Sequence, residues 1–354
     1  MTACLALDIG GANLKWADGC GLAGSCVFPL WKQPEQLAAA LAEILASATL
    51  PQLVAVTMTG ELADCFRTKR DGVAAIVQAV NQAVAQLDPQ QAIDIRVYGV
   101  DGRWHTPAQA CERPLTVAAS NWHALASYAA RWIPDSGLLV DIGSTTSDLI
   151  PIRDGRPVSA GLTDPERLAS GELAYTGVWR SPLCGIVKRL PWREQSCRVA
   201  QELFATTVDA YLVLGDIAEQ PAELATADGR PATREFAHDR LARAICADRE
   251  LFEWSDAVRA AEVVAQAQLD DLAKALQQVS ECLETAPQTV VISGQGEFLA
   301  RRLVERCLPS VEIVSLSSRL GAHVSQAAPA HALAVLAREA FALAKKDSSC
   351  RGGS

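Results

Sequence analysis

The sequence lacks the features of a membrane protein or a nucleic-acid-binding protein. No apolar run approaches the ~18 residues of a membrane-spanning helix, and no charged leader with a cleavage site precedes the first strand-like segment. Acidic residues outnumber basic ones by 41 to 32, which gives a formal net charge of -9. Because no basic field offsets phosphate repulsion, nucleic acid and anionic membranes are poor partners. We therefore expect a cytoplasmic protein that acts on small molecules.

Close cysteine pairs are also missing. The eleven cysteines include no CxxC pair, and zinc sites usually take two ligands from such a pair. We expect most of the cysteines to be reduced and to fill apolar positions. Cys184, in the loop segment SPLCG, leaves a reactive role open.

Strands and helices alternate along the chain, which predicts α/β layers. At 354 residues the chain suits two medium domains or one duplicated domain. An apolar strand at 5–9 and its hairpin partner at 13–18 have a counterpart in 138–143 and 147–155, which indicates an internal repeat. We predict an N-terminal lobe at 1–135, a C-terminal lobe at 136–345 with a loop-rich and helical insertion at 156–288, and a disordered tail at 346–354. Within the insertion we expect long loops at 160–195 and a helix at 197–215.

The first turn follows the apolar strand in the segment DIGGANLKWAD. Gly10 and Gly11 allow the backbone to approach a ligand closely and expose successive N–H groups, which form an anion nest. Asp8 ends a buried strand, and its charge needs a partner, for which hydrated magnesium is the simplest choice. Asn13 and Lys15 alternate along the hairpin, so that Lys15 can reach a phosphate. The alternative is an ordinary tight hairpin.

The second turn, DIGSTTSD, repeats this pattern. Gly143 permits close approach, and Ser144, Thr145 and Thr146 supply hydroxyl and N–H donors. Asp141 stands where Asp8 stands in the first turn. We predict that both aspartates hold magnesium beside a bound phosphate.

A third glycine turn lies in the segment VVISGQGEF. A strand ends there, and Gly294 and Gly296 open a helix whose N-terminus can hold a nucleotide or another polar group. The spacing matches neither the GxGxxG fingerprint nor the Walker lysine loop, so this segment is weak on its own.

The order of the three turns resembles the actin-like, sugar-kinase-like ATPase superfamily. More narrowly, the chain is similar to the hydantoinase/oxoprolinase-related branch, in members linked to tetrahydromethanopterin-dependent one-carbon metabolism. The resemblance implies an α/β architecture, a duplicated RNase H-like fold of two lobes with a cleft between them. The segments that carry it span nearly the whole chain: LDIGGANLKWAD, TMTGELADCF, VYGVDGRW, AASNWHALA, VDIGSTTSDLIPI, YTGVWRSPL, ADGRPATREFAHDRLAR and VISGQGEF.

The same resemblance implies a transferase of methanofuran-type cofactor biosynthesis. Such an enzyme joins an aminomethylfuran diphosphate to the amine of a tyramine or tyrosine derivative and releases diphosphate with the help of magnesium. The glycine turns, Lys15 and magnesium would then neutralise the departing diphosphate. Two aromatic segments, one with Trp104 and one with Trp179, would line the furan and phenol rings.

Further side chains at strand ends and in loops complete the expected site. Glu61 is either a general base or a helix cap, and Asn121 either binds substrate or caps a helix. Asp101 and Arg103 stand at a strand end, the first as a candidate catalytic carboxylate and the second as a substrate-binding group. Arg180 can bind a phosphate or a carboxylate in bidentate fashion.

Two other functions compete with this transferase. One is ATP-dependent hydrolysis of the hydantoinase or oxoprolinase type, or phosphorylation of a small molecule with Asp141 as the base. The other is a non-catalytic scaffold that responds to nucleotide, which would not need paired carboxylates beside glycines. Formation of ADP without a condensation product separates the first from the transferase. The sequence leaves a homo-oligomer open.

Overall fold

Two mixed sheets, one in each of two compact units, carry the described part of the chain. A computed structural model describes residues 3–48, 50–90 and 92–351, and side chains up to residue 342. Unit 1 comprises Met1–Asp135, Ile152–Glu166 and Leu316–Ser354, and unit 2 comprises Ser136–Pro151 and Arg167–Ser315. The strands are β1 (Cys4–Ile9), β2 (Asn13–Ala17), β3 (Ala23–Val27), β4 (Leu53–Met58), β5 (Asp94–Tyr98), β6 (Trp104–His105), β7 (Ser136–Ile142), β8 (Ser147–Arg153), β9 (Arg156–Pro157), β10 (Leu173–Ala174), β11 (Arg189–Trp192), β12 (Gln195–Arg198), β13 (Thr289–Ser293) and β14 (Glu312–Ser315). The helices are α1 (Leu37–Ser47), α2 (Lys69–Leu87), α3 (Pro107–Glu112), α4 (Pro114–Val117), α5 (Asn121–Ala129), α6 (Asp164–Ser170), α7 (Leu183–Ile186), α8 (Thr207–Leu214), α9 (Arg234–Arg243), α10 (Trp254–Glu281), α11 (Glu297–Cys307), α12 (Leu316–Leu320), α13 (Ala322–Ser325) and α14 (Ala328–Arg351).

The sheet of unit 1 is built around β1. Its order is β3-β2-β1-β4-β5-β6, with β1, β4 and β5 parallel and with β2, β3 and β6 antiparallel to their neighbours. Alternate residues of β1 face opposite sides of the sheet. Leu5 and Leu7 share a core with α1 and α2, and Ala6 shares one with α5 and α14. Asp8 therefore lies on the α5 face, at the carboxyl end of a strand that is covered on both sides.

The sheet of unit 2 repeats this topology. Its order is β10-β8-β7-β13-β14, and β7, β13 and β14 are parallel. In each unit the first strand is central, the hairpin partner and a third strand lie on one side, and two parallel strands lie on the other. The α/β class and the duplicated RNase H-like fold predicted from the sequence are thereby confirmed.

Helices α8, α9 and α10 pack around a separate apolar core in unit 2. Helix α8 begins after Thr206 because Thr206 and Asp209 form a capping box, and it ends at Gly215, whose φ of 81° forms a left-handed C-cap. The helix predicted at 197–215 is therefore wrong over its first half. The segment predicted as long loops at 160–195 contains α6, α7 and the hairpin strand β11.

The last helix, α14, belongs to unit 1. It packs against α5 and β1, and Leu333 and Ala334 enter their shared core. The predicted C-terminal lobe extends to residue 345, whereas unit 2 ends at Ser315. The two differ because the apolar face of α14 is buried against the sheet of unit 1. Helix α14 continues to Arg351, into the tail predicted to be disordered, and 352–354 lie outside the described residues. Each described helix is too short or too polar to traverse a bilayer.

Candidate functional site

The turn after β1 closes tightly around its two glycines. Gly10 donates its N–H to the carbonyl of Asn13 at 3.0 Å, and a Cβ at Gly10 would lie 2.8 Å from that oxygen. A side chain at Gly10 would therefore push this turn open. No described heavy atom lies within 4 Å of a Cβ built on Gly11. An anion can approach the backbone at this second glycine.

Asp8 is a buried carboxylate that lacks a partner for one of its oxygens. Its side chain is 4% exposed, and Oδ1 has no hydrogen-bond partner among the described residues. Burial raises the pKa of Asp8, whereas the charge of Lys15 and a hydrogen bond from Asn121 act to lower it. Lys15 is the cross-strand neighbour of Asp8, and Asn121 is the first residue of α5. The structure thus brings these three predicted residues together in unit 1.

A second carboxylate, Glu61, follows β4 in the adjacent turn. The N–H groups of Thr59 and Gly60 donate to the carbonyl of Ile9 at 2.9 and 3.0 Å. A Cβ at Gly60 would lie 3.0 Å from the carbonyl carbon of Gly10. The turn that carries Glu61 therefore lies directly against the first glycine turn.

Glu61 is almost fully buried, at 1% exposure, and its Oε2 has no hydrogen-bond partner in the part of the chain that the structure describes. Burial raises the pKa of Glu61 to about 7, although Lys69, with Nζ 3.6 Å from Oε1, acts to lower it. Lys69 also contacts Oδ2 of Asp164 at 2.7 Å. Helix α2 approaches so closely that a Cβ at Gly72 would lie 1.9 Å from the carbonyl oxygen of Glu61. A carboxyl with this pKa can exchange a proton near neutral pH.

In the turn between β5 and β6, the carboxylate of Asp101 contacts residues close to it in the chain. Asp101 accepts a hydrogen bond from the backbone N–H of Arg103 at 3.0 Å, and Nε2 of His105 lies 3.2 Å from the same Oδ1. A Cβ at Gly99 would lie 2.5 Å from this oxygen, so a side chain there would displace the carboxylate of Asp101. Trp104 packs edge-to-face on the tyrosine that ends β5, with ring centroids 5.0 Å apart. Arg103 and Trp104 also line a cavity of about 260 Å³.

Three neighbouring parallel strands, β1, β4 and β5, end at the same edge of the first sheet. Asp8 is the penultimate residue of β1, and Glu61 and Asp101 follow β4 and β5, so the three residues share that edge. Neighbouring strands of a sheet are about 4.8 Å apart. Ligands of open α/β sheets bind outside the carboxyl ends of the strands. This edge is the candidate site of unit 1.

In unit 2, the loop segment 176–180 packs on the turn that follows β7. Gly143 closes the turn by donating to the carbonyl of Thr146 at 2.8 Å. The backbone N–H groups of Trp179 and Arg180 donate to the carbonyl of Ser144 at 3.1 and 2.9 Å. The predicted residues Trp179 and Arg180 therefore lie beside the second glycine turn.

A buried glutamine that the sequence analysis missed supports this loop segment. Gln268 is 1% exposed, and its Nε2 donates to Oγ1 of Thr176 at 2.8 Å and to the carbonyl of Gly177 at 2.9 Å. Its Oε1 accepts a hydrogen bond from the hydroxyl of Tyr211 at 2.5 Å. A Cβ at Gly177 would lie 2.5 Å from the backbone nitrogen of Thr145, so the segment rests directly on the turn.

The third predicted turn lies beside the second. Strand β13 pairs with β7 so that Ser293 stands opposite Asp141. Gly294 has a φ of +92°, and a Cβ there would lie 2.2 Å from the carbonyl oxygen of Ile142 and 2.8 Å from Oδ1 of Asp141. Gly296 donates its N–H to the carbonyl of Ile142 at 2.8 Å. Unit 2 thus brings Asp141, Gly294 and Gly296 together.

The donor groups of unit 1 fit a magnesium ion whose coordination is completed by ligand oxygens. Among the described residues, no group of three or more His, Cys, Asp or Glu side chains can enclose a metal. Mg²⁺ usually takes one or two protein carboxylates and keeps waters or substrate phosphates. Asp8, with its unpartnered Oδ1, has the chemistry of such a ligand.

Comparison with known proteins shows the family of this chain. The chain belongs to the hydantoinase/oxoprolinase family, whose model matches residues 52–340, and the branch indicated by the sequence segments is confirmed. It is 34% identical over 340 residues to a protein of Methanocaldococcus jannaschii, and the match covers 94% of this chain and 96% of the relative. That relative is named (4-{4-[2-(gamma-L-glutamylamino)ethyl]phenoxymethyl}furan-2-yl)methanamine synthase. A protein of the same name from Methanococcus vannielii is 32% identical over 213 residues, which are 60% of this chain and 95% of the relative.

Solved structures resemble the chain more distantly. The activator of the 2-hydroxyisocaproyl-CoA dehydratase from Clostridium difficile with bound ADPNP is 12% identical, with 98% of each chain covered and a TM-score of 0.45. Component A of the Acidaminococcus fermentans (R)-2-hydroxyglutaryl-CoA dehydratase is 13% identical over 93% of this chain and 95% of that chain, with a TM-score of 0.43. At these TM-scores neither likeness supports a functional conclusion.

Proposed function

We propose that this protein is a transferase that forms an ether between a furan methylene and a phenol. The observation that carries the proposal is the match, along 94% of the chain, to a relative named as the synthase of a phenoxymethylfuran methanamine. The reaction belongs to methanofuran-type cofactor biosynthesis, in the setting of tetrahydromethanopterin-linked one-carbon metabolism.

The relative's name corrects the acceptor atom. The named product contains a phenoxymethyl group, in which the phenol oxygen bonds to the methylene on the furan, and the ethyl nitrogen carries the glutamyl group. The amine acceptor expected from the sequence does not agree with this product. The acceptor in our proposal is therefore the phenol hydroxyl of a tyramine-like or tyrosine-like molecule.

The donor is an aminomethylfuran that carries diphosphate on its ring methylene. The bond between the methylene carbon and the diphosphate oxygen breaks, and its electron pair leaves with diphosphate. The phenol oxygen bonds to the same carbon and loses its proton. Because the furan ring supports positive charge on the methylene, the main task of the protein is to hold and neutralise the departing diphosphate.

The glycine turns are the parts of the protein that we assign to this task. In unit 1, the backbone at Gly11 and the ammonium group of Lys15 are donors to an anion. In unit 2, residues 144–146 offer hydroxyl and N–H donors. Asp8 in unit 1 and Asp141 in unit 2 are each assigned as a magnesium ligand, and magnesium would supply Lewis-acid neutralisation of negative charge.

The family description favours one competing function, which is ATP-dependent hydrolysis of the hydantoinase or oxoprolinase type. A small-molecule kinase would use the same phosphate-binding turns. Both alternatives consume ATP, whereas the proposed transferase requires only its two organic substrates and magnesium.

The test is to incubate the purified protein with magnesium, the synthetic furan diphosphate and γ-glutamyltyramine. Diphosphate is measured by a coupled assay, and the ether by mass spectrometry. We expect the two products in equal amounts without ATP. Formation of ADP from ATP, with no ether from the diphosphate substrate, would show that the transferase function is wrong.

Substitution of Asp8 tests the assignment of the metal and diphosphate site. Asp8→Asn keeps the shape of the side chain and removes its charge, so kcat should fall by roughly 10²-fold or more. Asp94→Asn is the matched control, because Asp94 is an exposed carboxylate in the same unit. Full turnover in Asp8→Asn would place the metal elsewhere.

A further inference from the structure

We propose that Glu61 is the general base that accepts the phenolic proton, and that Lys69 and Asp164 are positioning residues for it. This inference rests on the transferase function proposed above and adds the residue that activates the acceptor.

The place of Glu61 in the fold puts a base next to the glycine turn that we assign to diphosphate. Strand β4 pairs in parallel with β1, and Thr57 stands opposite Asp8. The backbone contact between Gly60 and Gly10 then fixes the start of the Glu61 turn against the first glycine turn. A general base has to lie within hydrogen-bond reach of the proton that it removes, and an acceptor that attacks the donor methylene must approach this same edge.

The two oxygens of Glu61 are in different surroundings. Oε1 lies 3.6 Å from Nζ of Lys69, whereas Oε2 is buried and has no hydrogen-bond partner within the described residues. A buried carboxylate oxygen normally has a donor, because its desolvation is costly. A phenol hydroxyl is such a donor. The geometry therefore leaves Oε2 for the acceptor and Oε1 for the lysine.

Two charged groups face Glu61 from the helices that pack against it. Lys69 comes from α2 and Asp164 from α6, and their side chains form an ion pair at 2.7 Å. Lys69 favours the ionised form of Glu61, whereas Asp164 and burial favour the neutral form, and burial is the largest effect. The resulting pKa of about 7 lies closer to the phenol value of about 10 than an exposed carboxylate does. This makes Glu61 the stronger base.

In the proposed step, the phenolic proton moves to Oε2 of Glu61 as the phenol oxygen bonds to the furan methylene. The carbon–oxygen bond to diphosphate breaks with its electron pair on diphosphate. After the ether leaves, Glu61 returns the proton to water, so one proton is released for each ether and diphosphate formed.

The experiment compares the pH profiles of kcat/KM for the wild type and Glu61→Gln with two acceptors. One acceptor is the ordinary phenol, and the other is a polyfluorinated phenol that is already ionised at pH 8. In the wild type with the ordinary phenol, we expect activity to rise with pH through a midpoint near pH 7, as Glu61 loses its proton. With this acceptor, Glu61→Gln should show no rise in activity with pH, and its kcat should be roughly 10²- to 10⁴-fold lower than that of the wild type. With the ionised acceptor, the rate of Glu61→Gln should return to within about tenfold of the wild-type rate, since no proton then needs to be removed.

Substitutions of the neighbouring lysine separate positioning from catalysis. Lys69→Met should move the midpoint to higher pH, because the cation that favours ionised Glu61 is gone, and Lys69→Arg should restore it. Glu43→Gln is the matched control, since Glu43 is exposed on α1. If Glu61→Gln does not fold, Glu61→Asp is used, and we expect it to keep the acidic rise at a lower kcat.

Three outcomes would overturn the proposal. An unchanged acidic rise in Glu61→Gln, an unchanged kcat in Glu61→Asp, or a loss in Glu61→Gln that the ionised phenol does not restore would exclude Glu61 as the base. In each of these cases the wild type still makes the ether, so the transferase function stands. A wild-type protein that makes no ether overturns the transferase function and this inference together.

Discussion

Replacing Glu61 by glutamine should raise the free energy of unfolding relative to the wild type at alkaline pH. At acidic pH the same replacement should have a much smaller stabilising effect. The pKa of this group is raised from 4.5 to about 7, mainly by burial. Below about pH 4.5 both the folded and the unfolded chain hold the proton, and the shift has no effect on stability. As pH rises from 4.5 to 7, the unfolded chain loses the proton first, and the free energy of unfolding falls. At 1.36 kcal/mol per pKa unit, the loss reaches ~3 kcal/mol above pH 7.

The assay is urea denaturation of the wild type and Glu61→Gln at pH 5 and pH 9. Glutamine does not titrate, so the difference in free energy of unfolding should move by ~2.5 kcal/mol in favour of the variant between these two pH values, since part of the loss has already occurred at pH 5. Lys69 keeps its ion pair with Asp164 in the variant, which limits secondary effects. Glu43→Gln, on the exposed side of α1, should show no such pH dependence. A difference that does not change with pH, or one that favours the wild type at pH 9, would refute the desolvation argument.

Two further predictions concern the contacts around the second glycine turn in unit 2. Gly294→Ala adds a Cβ only 2.2 Å from a carbonyl oxygen at a φ of +92°, so it should lower the free energy of unfolding by ~3 kcal/mol or more in a thermal unfolding experiment. The control is Gly229→Ala, which has a φ of +71° but no described atom within 4 Å of the added Cβ. It should lose only about 1 kcal/mol in the same experiment. Gln268→Leu removes the hydrogen bond that supports the loop at Gly177, so it should raise KM for the diphosphate substrate several-fold and lower the free energy of unfolding by about 1–3 kcal/mol. Gln266→Leu is the control, because the Gln266 amide bonds Asp270 on the same helix, and it should change neither value. An unchanged KM in Gln268→Leu would mean that the turn keeps its shape without this support.

The glycine turns were predictable because their signals are local. An apolar strand that ends in Asp-Ile-Gly specifies both a buried strand and a close backbone turn within a few residues. In the first turn the physical origin of that signal is the close approach of the backbone, since a Cβ at Gly10 would lie 2.8 Å from the carbonyl oxygen of Asn13. The repeated sheet topology followed from the same pattern, since each turn begins a new set of strands.

The supports of the turns were not predictable because they depend on distant segments. Gln268 stands between Val264 and Leu272 on the apolar face of α10, and a polar residue there indicates a buried hydrogen-bonded group. The sequence does not name its partners, and Gly177 lies 91 residues away. The same holds for Lys69, whose partner Asp164 is 95 residues away. Spacing along the chain predicts a face of a helix, but only the folded chain joins two such faces.

The two glycine turns have similar sequences but different surroundings, and this difference divides their proposed tasks. In unit 1, ionisable groups crowd the turn, with Lys15 beside Asp8 and with Glu61 in the adjacent turn. In unit 2 the turn also carries Asp141 and Asp148, the second paired with Arg167 at 2.5 Å, but backbone hydrogen bonds and close glycine contacts hold its shape. Groups that titrate can move protons, whereas a rigid array of donors binds an anion without reorganising. Changes at the carboxylates of unit 1 should therefore alter the pH dependence of turnover, and changes at the supports of the unit 2 turn should alter the binding of diphosphate.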